Sequence, residues 1–202
     1  MGVLTIQLND YQTVFISIGL VGILLFALPT ASLLIHSPKG QEFSEIYVLG
    51  SNQTFEGIPF NIKVESYYSV NLAIGNNLGH SSYYTCYIKI ANDTASLPNT
   101  NIGRPSKEPA LYEYELFVKD GETLQLPLTF QVDNLTFSDK TCWLYGLRIN
   151  DVDISINKSS AWSPTNEGFY YYLVAELWLF NSTLGVSQFN NRFISVPLNM
   201  TQ

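Results

Sequence analysis

Six asparagines stand in the Asn-x-Ser/Thr context that accepts an N-linked sugar: Asn52, Asn92, Asn134, Asn157, Asn181 and Asn199, none with proline at the middle position. Cys86 and Cys142 are the only thiols. An even pair in an exported domain predicts a disulfide. The bridge would close a loop of about 57 residues and contribute about 4 kcal/mol by loop entropy. Strand alternation complicates this expectation. It puts Cys86 with Tyr84, Ile88 and Ile90 on an apolar face, and Cys142 with Leu144, Gly146 and Arg148 on a more polar one. Two separate buried thiols are the alternative. Only His36 and His80 could act as imidazole bases, and no third group is indicated beside His80 and its neighbours Ser81 and Ser82. Asp151 and Asp153 could join Asp133 or Asp139 around calcium, but no loop has the spacing of several hard oxygen ligands. A solvated face is the expected state. Tyr170, Tyr171 and Tyr172 could stack on sugars or a partner, and core and edge positions are expected for them. No catalytic residue, cofactor site or metal site is predicted.

The elements that position these residues are strands. Period two dominates after residue 40. Tyr112, Tyr114, Leu116 and Val118 alternate with Glu113, Glu115, Phe117 and Lys119. Past Asp120-Gly121, Leu124, Leu126, Leu128, Phe130 and Val132 alternate with polar residues and Pro127. Asp-Gly suits a type I′ turn and predicts a hairpin here, while Pro127 places its strand at an edge or a bulge. Val70 to Ile74, ending in a Gly75-Asn76-Asn77 turn, Tyr84 to Ile90, Trp143 to Ile149 and Val152 to Ile156 follow the same rule. In Trp143 to Ile149 the residues Trp143, Tyr145, Leu147 and Ile149 share one face. Phe169 to Phe180 is apolar on both faces except for Glu176 and reads as a long central strand. Phe193 to Leu198 closes the chain. Residues 95–110 form a long internal loop. Eight or nine short strands predict an all-β, immunoglobulin-like β-sandwich.

Composition sets the surroundings. The chain has 202 residues and a net charge of -7, and only 13% of its residues are charged, against about 25% in an average soluble domain. A nucleic-acid binder needs a basic footprint, so that class is excluded. Attached sugars would supply the solubility that Lys and Glu do not.

No charged side chain occurs between Asp10 and Lys39. Val14 to Ile35 is an apolar run whose helix would reach about 33 Å, enough for a hydrocarbon core of about 30 Å. A signal peptide needs a basic start, a shorter apolar core and a small-residue exit. The first ten residues hold no Lys or Arg, and Pro29 spoils the exit. The run is therefore read as a retained single-pass anchor, residues 1–38, followed by an extracellular domain, residues 39–202, that carries every sequon. Membrane lipid is the expected partner of residues 14–35.

The segment Glu45-Ile46-Tyr47-Val48-Leu49-Gly50 followed by Glu56-Gly57-Ile58-Pro59 resembles the opening of the archaeal membrane proteins of domain-of-unknown-function family 1616. The strand Val70 to Asn77, the Tyr-led strand Tyr83 to Ile90 and the aromatic Phe169 to Phe180 continue the resemblance over residues 43–197. It implies an archaeal surface domain with no established activity. Members commonly carry several spans before this domain, whereas this chain has one apolar run. The expected function is a membrane-anchored, glycosylated cell-surface binding or scaffold protein, an accessory subunit of a membrane or cell-envelope complex and not an enzyme. It would work through a protein partner or self-assembly. The alternative is a secreted glycosylated filament subunit that assembles by strand exchange, with the apolar run as its signal peptide.

Overall fold

The computed structural model describes residues 11, 12, 14–23, 25 and 41–201. The chain divides into two compact units, residues 1–42 and 43–202. In the first, residues 14–23 and 25 are helical with exposed apolar side chains, Phe15 and Ile23 among them. Most of Val14–Ile35 beyond them, and His36, lie outside the described residues. Among the described residues no helix is long and apolar enough to cross a membrane.

The second unit is all-β. Its strands are β1 (Phe43–Gly50), β2 (Asn61–Lys63), β3 (Tyr67–Asn77), β4 (Ser82–Ala91), β5 (Tyr112–Val118), β6 (Thr123–Ser138), β7 (Thr141–Ile149), β8 (Val152–Ser163), β9 (Gly168–Asn181) and β10 (Val186–Thr201). They form one curled sheet with two halves. The order β1-β3-β6-β7-β8 makes the first half, and β5-β4-β9-β10-β2 makes the second. The end of β8 joins them, pairing Trp162 and Ser163 with Phe169 and Gly168. Only β2 runs parallel to its neighbour, β10.

The alternation read from sequence lines one core with both halves. Val70, Leu72 and Ile74 of β3, Leu128, Phe130 and Val132 of β6, Ile88 and Ile90 of β4, and Leu173 and Leu177 of β9 all belong to one buried cluster. Three tyrosines of the second half cross to the first. The Tyr171 hydroxyl donates to the carbonyls of Cys142 (2.8 Å) and Lys158 (3.0 Å). Tyr114 donates to the Pro127 carbonyl (2.6 Å) and accepts from Asn150 (2.6 Å). Tyr84 donates to Asn76 Oδ1 (3.0 Å) and bonds Ser44 Oγ (2.8 Å). The Tyr84 bonds and the Tyr171 bond to Cys142 are buried, and each satisfies a polar atom that would otherwise be stranded between the halves.

Three local expectations change. Asp120-Gly121 does not close a hairpin, because β5 pairs only β4 while β6 pairs β3 and β7. The Glu122 amide bonds the Lys119 carbonyl, and Gly121 alone takes positive φ, +74°. One left-handed residue at the third turn position gives a type II turn, and this turn passes the chain from one half to the other. Strand β3 runs through Gly75 and Asn76 instead of turning there. Asn76 is wholly buried and its amide donates to the carbonyls of Val118 and His80. Strand β7 changes face near Gly146. Leu144 aligns with Leu135 and Gly146 with Asn134, leaving Tyr145 unpaired against β6. Cys142 and Leu144 therefore face inward while Trp143 and Tyr145 face out, and Leu147 and Ile149 face inward again. Pro127 sits where expected. Pairing with β7 begins only at Phe130, so β6 is an edge at Pro127.

Candidate functional site

The sequons fall into two groups. Asn52 lies in the turn after β1 and is exposed. Asn134 and Asn157 are exposed on β6 and β8. Asn134 sits at a bulge within its strand, opposite Gly146. The other three amide nitrogens are engaged. Asn92 donates to the Ser159 carbonyl (2.9 Å), Asn181 to Gln188 (3.3 Å) and Asn199 to Asn61 (2.9 Å). The Oδ1 of Asn199 is buried without a partner and packs against Gly168, where a Cβ would come within 2.3 Å. A sugar must be joined through the amide nitrogen, so Asn52, Asn134 and Asn157 are the acceptors open to it.

Cys86 and Cys142 are free thiols, both fully buried, which corrects the expected bridge. The cause is their placement. Cys86 lies on β4 between β5 and β9, and Cys142 lies on β7 between β6 and β8. The expectation of a polar setting for Cys142 fails at the Gly146 bulge. Burial pushes each thiol up to about 12, helped at Cys86 by the negative charge of Glu176. Such thiols are poor nucleophiles.

His80 is exposed and its Nδ1 lies 3.0 Å from the Leu78 carbonyl. Asp133 and Asp153 both face Arg148, at 3.8 and 2.6 Å from its guanidinium nitrogens. The Asp153 and Tyr67 hydrogen bonds, and then the two carboxylate charges, raise the Arg148 pKa. The Arg148 guanidinium thus lies between two of the four carboxylates singled out in the sequence. Tyr171 is core, while Tyr170 and Tyr172 are half-buried.

Two features escaped the sequence reading. One is a buried ion pair. Lys89 Nζ lies 2.8 Å from Glu176 Oε2. Lys89 donates to the Ser106 carbonyl (3.0 Å), the Ser106 amide donates to Glu176 Oε1 (2.7 Å), and Trp178 Nε1 donates to Oε2 (3.2 Å). The loop after β4 is thereby pinned to the outer side of the second half. The signal was present in the lone charges inside Tyr84 to Ile90 and Phe169 to Phe180, which only a partner could permit. The other feature is aromatic. Phe117 of β5 pairs Tyr83 of β4, and the Tyr83 ring meets Phe180 of β9 edge-on at 6.3 Å. Tyr87 meets Trp178 at 5.6 Å, and Trp178 meets Phe189 at 6.1 Å. Phe117 is 61% exposed and Phe180 42%. Phe117, Tyr83 and Tyr87 lie opposite the face that sequence alternation read as core, while Trp178 and Phe180 belong to the strand read as apolar on both faces. A third aromatic group lines a concavity of about 350 Å³ at the turns after β6 and β8, where Phe137, Trp162 and Phe169 stand beside Asp139 and Glu167.

No protein-family pattern matches the chain, and no curated protein does. Among solved structures it is similar to the beta-glucosidase from Listeria innocua in complex with glucose, at 6% identity and a TM-score of 0.39, over 80% of this chain and 16% of that one. The same enzyme without that ligand gives 8% and 0.37, over 79% and 16%, and its complex with gluconolactone gives 7% and 0.34, over 80% and 16%. The chain spans about a sixth of the length of these enzymes.

Proposed function

We propose that the chain is a membrane-anchored, glycosylated cell-surface protein whose β-domain, an immunoglobulin-like sandwich of the two sheet halves, binds a protein partner in a membrane or cell-envelope complex. The observation that carries this reading is the aromatic outer face of β5, β4, β9 and β10. Exposed aromatic clusters of this kind are enriched at protein interfaces, and a patch rimmed by polar residues marks an interaction surface. Glu113 and Glu115, exposed on β5 in phase with Phe117, give this face an acidic border. The apolar helical residues 14–23, exposed all round, support lipid as their surroundings. The resemblance to the archaeal surface family points the same way. Strand exchange is less well supported at β5, an edge strand, because it carries exposed Glu113 and Glu115, which guard against added strands.

The test uses the full chain in intact cells. A photo-reactive side chain at position 117 should cross-link one partner, and Phe117→Glu with Phe180→Glu should abolish that product without changing the melting temperature. The chain should remain with membranes after a carbonate wash, and protease added outside should digest residues 39–202. Recovery of the protein from the aqueous fraction, starting near residue 32, would overturn the anchor. Cross-linking that is unaffected by the double variant would overturn the binding face.

A further inference from the structure

On the other half of the sheet, Trp143 and Tyr145 of β7 point outward, 36% and 38% exposed. Their ring planes lie within 8° of parallel with centroids 6.1 Å apart. Alternation alone puts the two rings on one face; the Gly146 irregularity turns that face outward while Leu147 and Ile149 stay inward. The two open sequons on strands lie on either side. Thr136, the third residue of the Asn134 sequon, pairs directly with Trp143, and Asn134 itself pairs with Gly146. Across β7, Lys158 pairs with Leu144 and Ser155 with Gly146, so Ile156 and Asn157 lie opposite Tyr145, Ile156 buried and Asn157 exposed. Each asparagine is thus on a strand next to the one that carries the rings, and neighbouring strands lie about 4.8 Å apart. That is within reach of the first sugar on its side-chain amide. Gly146 keeps the space between them open, since a Cβ there would lie 3.3 Å from the Cβ of Asn134.

We propose that Trp143 and Tyr145 form a stacking seat for the N-linked glycans of Asn134 and Asn157. A pyranose presents one face of C–H groups and a rim of hydroxyls. The C–H face covers aromatic carbon and removes it from water, while the hydroxyls meet the polar side chains around the rings, Thr136 and Ser155 among them. The sugar is then part of the fold's surface, covering a ring pair that would otherwise be open to association. The proposal rests on the glycosylated reading above and specifies where those sugars lie.

Oxidation footprinting tests it on the full chain purified from membranes of a glycosylating host. Hydroxyl radicals modify Trp and Tyr in proportion to their access to water, and peptide mass mapping reads each ring separately. With sugars on Asn134 and Asn157, Trp143 and Tyr145 should oxidise several-fold more slowly than in Asn134→Gln/Asn157→Gln. The melting temperature of that variant should fall by about 2–4 °C. Asn52→Gln should change neither reading. Thr136→Ala/Ser159→Ala, which removes the sequons and keeps both asparagines, should reproduce the double variant and guards against a folding artefact. Occupied sites with unchanged ring oxidation would overturn the seat and leave the glycosylated reading standing. Bare sites at both positions in the mapped glycopeptides would overturn the seat together with that reading at these positions.

Discussion

Single residues decide which turns and thiols this fold tolerates. Gly121 holds φ at +74° with open space around its missing Cβ. Any penalty for a side chain there is conformational rather than steric contact. Gly121→Val should therefore lower stability by about 1–2 kcal/mol. Gln125→Thr on the exposed face of β6 should change it by under about 0.5 kcal/mol. Denaturant midpoints of the two variants and wild type check this, and equal midpoints for Gly121→Val and wild type would mean the turn is not left-handed. The thiols make a second residue-scale prediction. Cys86 and Cys142 are buried, free and held up to about 12, so a disulfide reagent at pH 8 should find no reactive thiol in the native protein and two in guanidinium. None in guanidinium would mean that the chain is bridged after all.

At the scale of strands and loops, the sequence was legible wherever one face is dry and the other wet. The alternation along β4, β5 and β6 names the core-facing apolar residues of those strands, and Pro127 marks the edge it occupies. What sequence could not supply was pairing. An Asp-Gly turn specifies the backbone at one or two residues, and whether the next strand returns beside the last or crosses to another half depends on partners distant in sequence. Here Asn76 holds the turn, its carbonyl accepting from the Gly121 amide at 2.7 Å and its side chain binding the Val118 carbonyl. Bulges hid the rest. Two register shifts beside Gly146 reversed the faces of Cys142 and Trp143, because alternation carries no memory across an extra residue. The candidate binding face was hidden for a related reason, since a strand apolar on both faces reads as central and covered, and only the pairing of β9 with β4 and β10 shows that its outer side joins Tyr83 and Tyr87. The loop after β4 shows how an element outside the sheet is fixed. Lys89 is 6% exposed and Glu176 is wholly buried. Removing one partner leaves the other charge stranded, so Lys89→Met should lower stability by about 3–5 kcal/mol. Protease should then cut between residues 92 and 111 faster than in wild type. Limited proteolysis read beside the denaturation curve distinguishes a released loop from global loss. A stability change within about 0.5 kcal/mol, as for an ordinary surface substitution, would show that the pair does not hold the loop.

For the whole β-domain, the two halves are joined by an apolar core crossed by tyrosine hydroxyls, and this arrangement sets how the fold responds to alkali. Tyr171, Tyr114 and Tyr84 donate protons from one half to acceptors on the other. A phenolate cannot donate, and burial further opposes its charge. Burial is the first cause in each case, pushing Tyr114 up to about 12 and raising Tyr84 and Tyr171. The buried thiols add the same tendency. In the unfolded chain these groups ionise near their ordinary values, about 8.5 for Cys and about 10 for Tyr. Below those values both states hold the protons and the stabilisation is complete. Above them the unfolded chain binds fewer protons than the folded one, so the unfolding free energy falls as pH rises. Stability should accordingly be flat through neutral pH, decline from about pH 9, and be lost progressively as pH passes through the folded values near 12. Tyr171→Phe should lower stability at pH 7, because the Cys142 and Lys158 carbonyls lose their shared donor. It should also flatten the decline above pH 10, because one group no longer titrates. Urea unfolding of residues 43–202 at a series of pH values reads both effects. An alkaline slope identical in Tyr171→Phe and wild type would mean that this hydroxyl does not couple the halves through its proton.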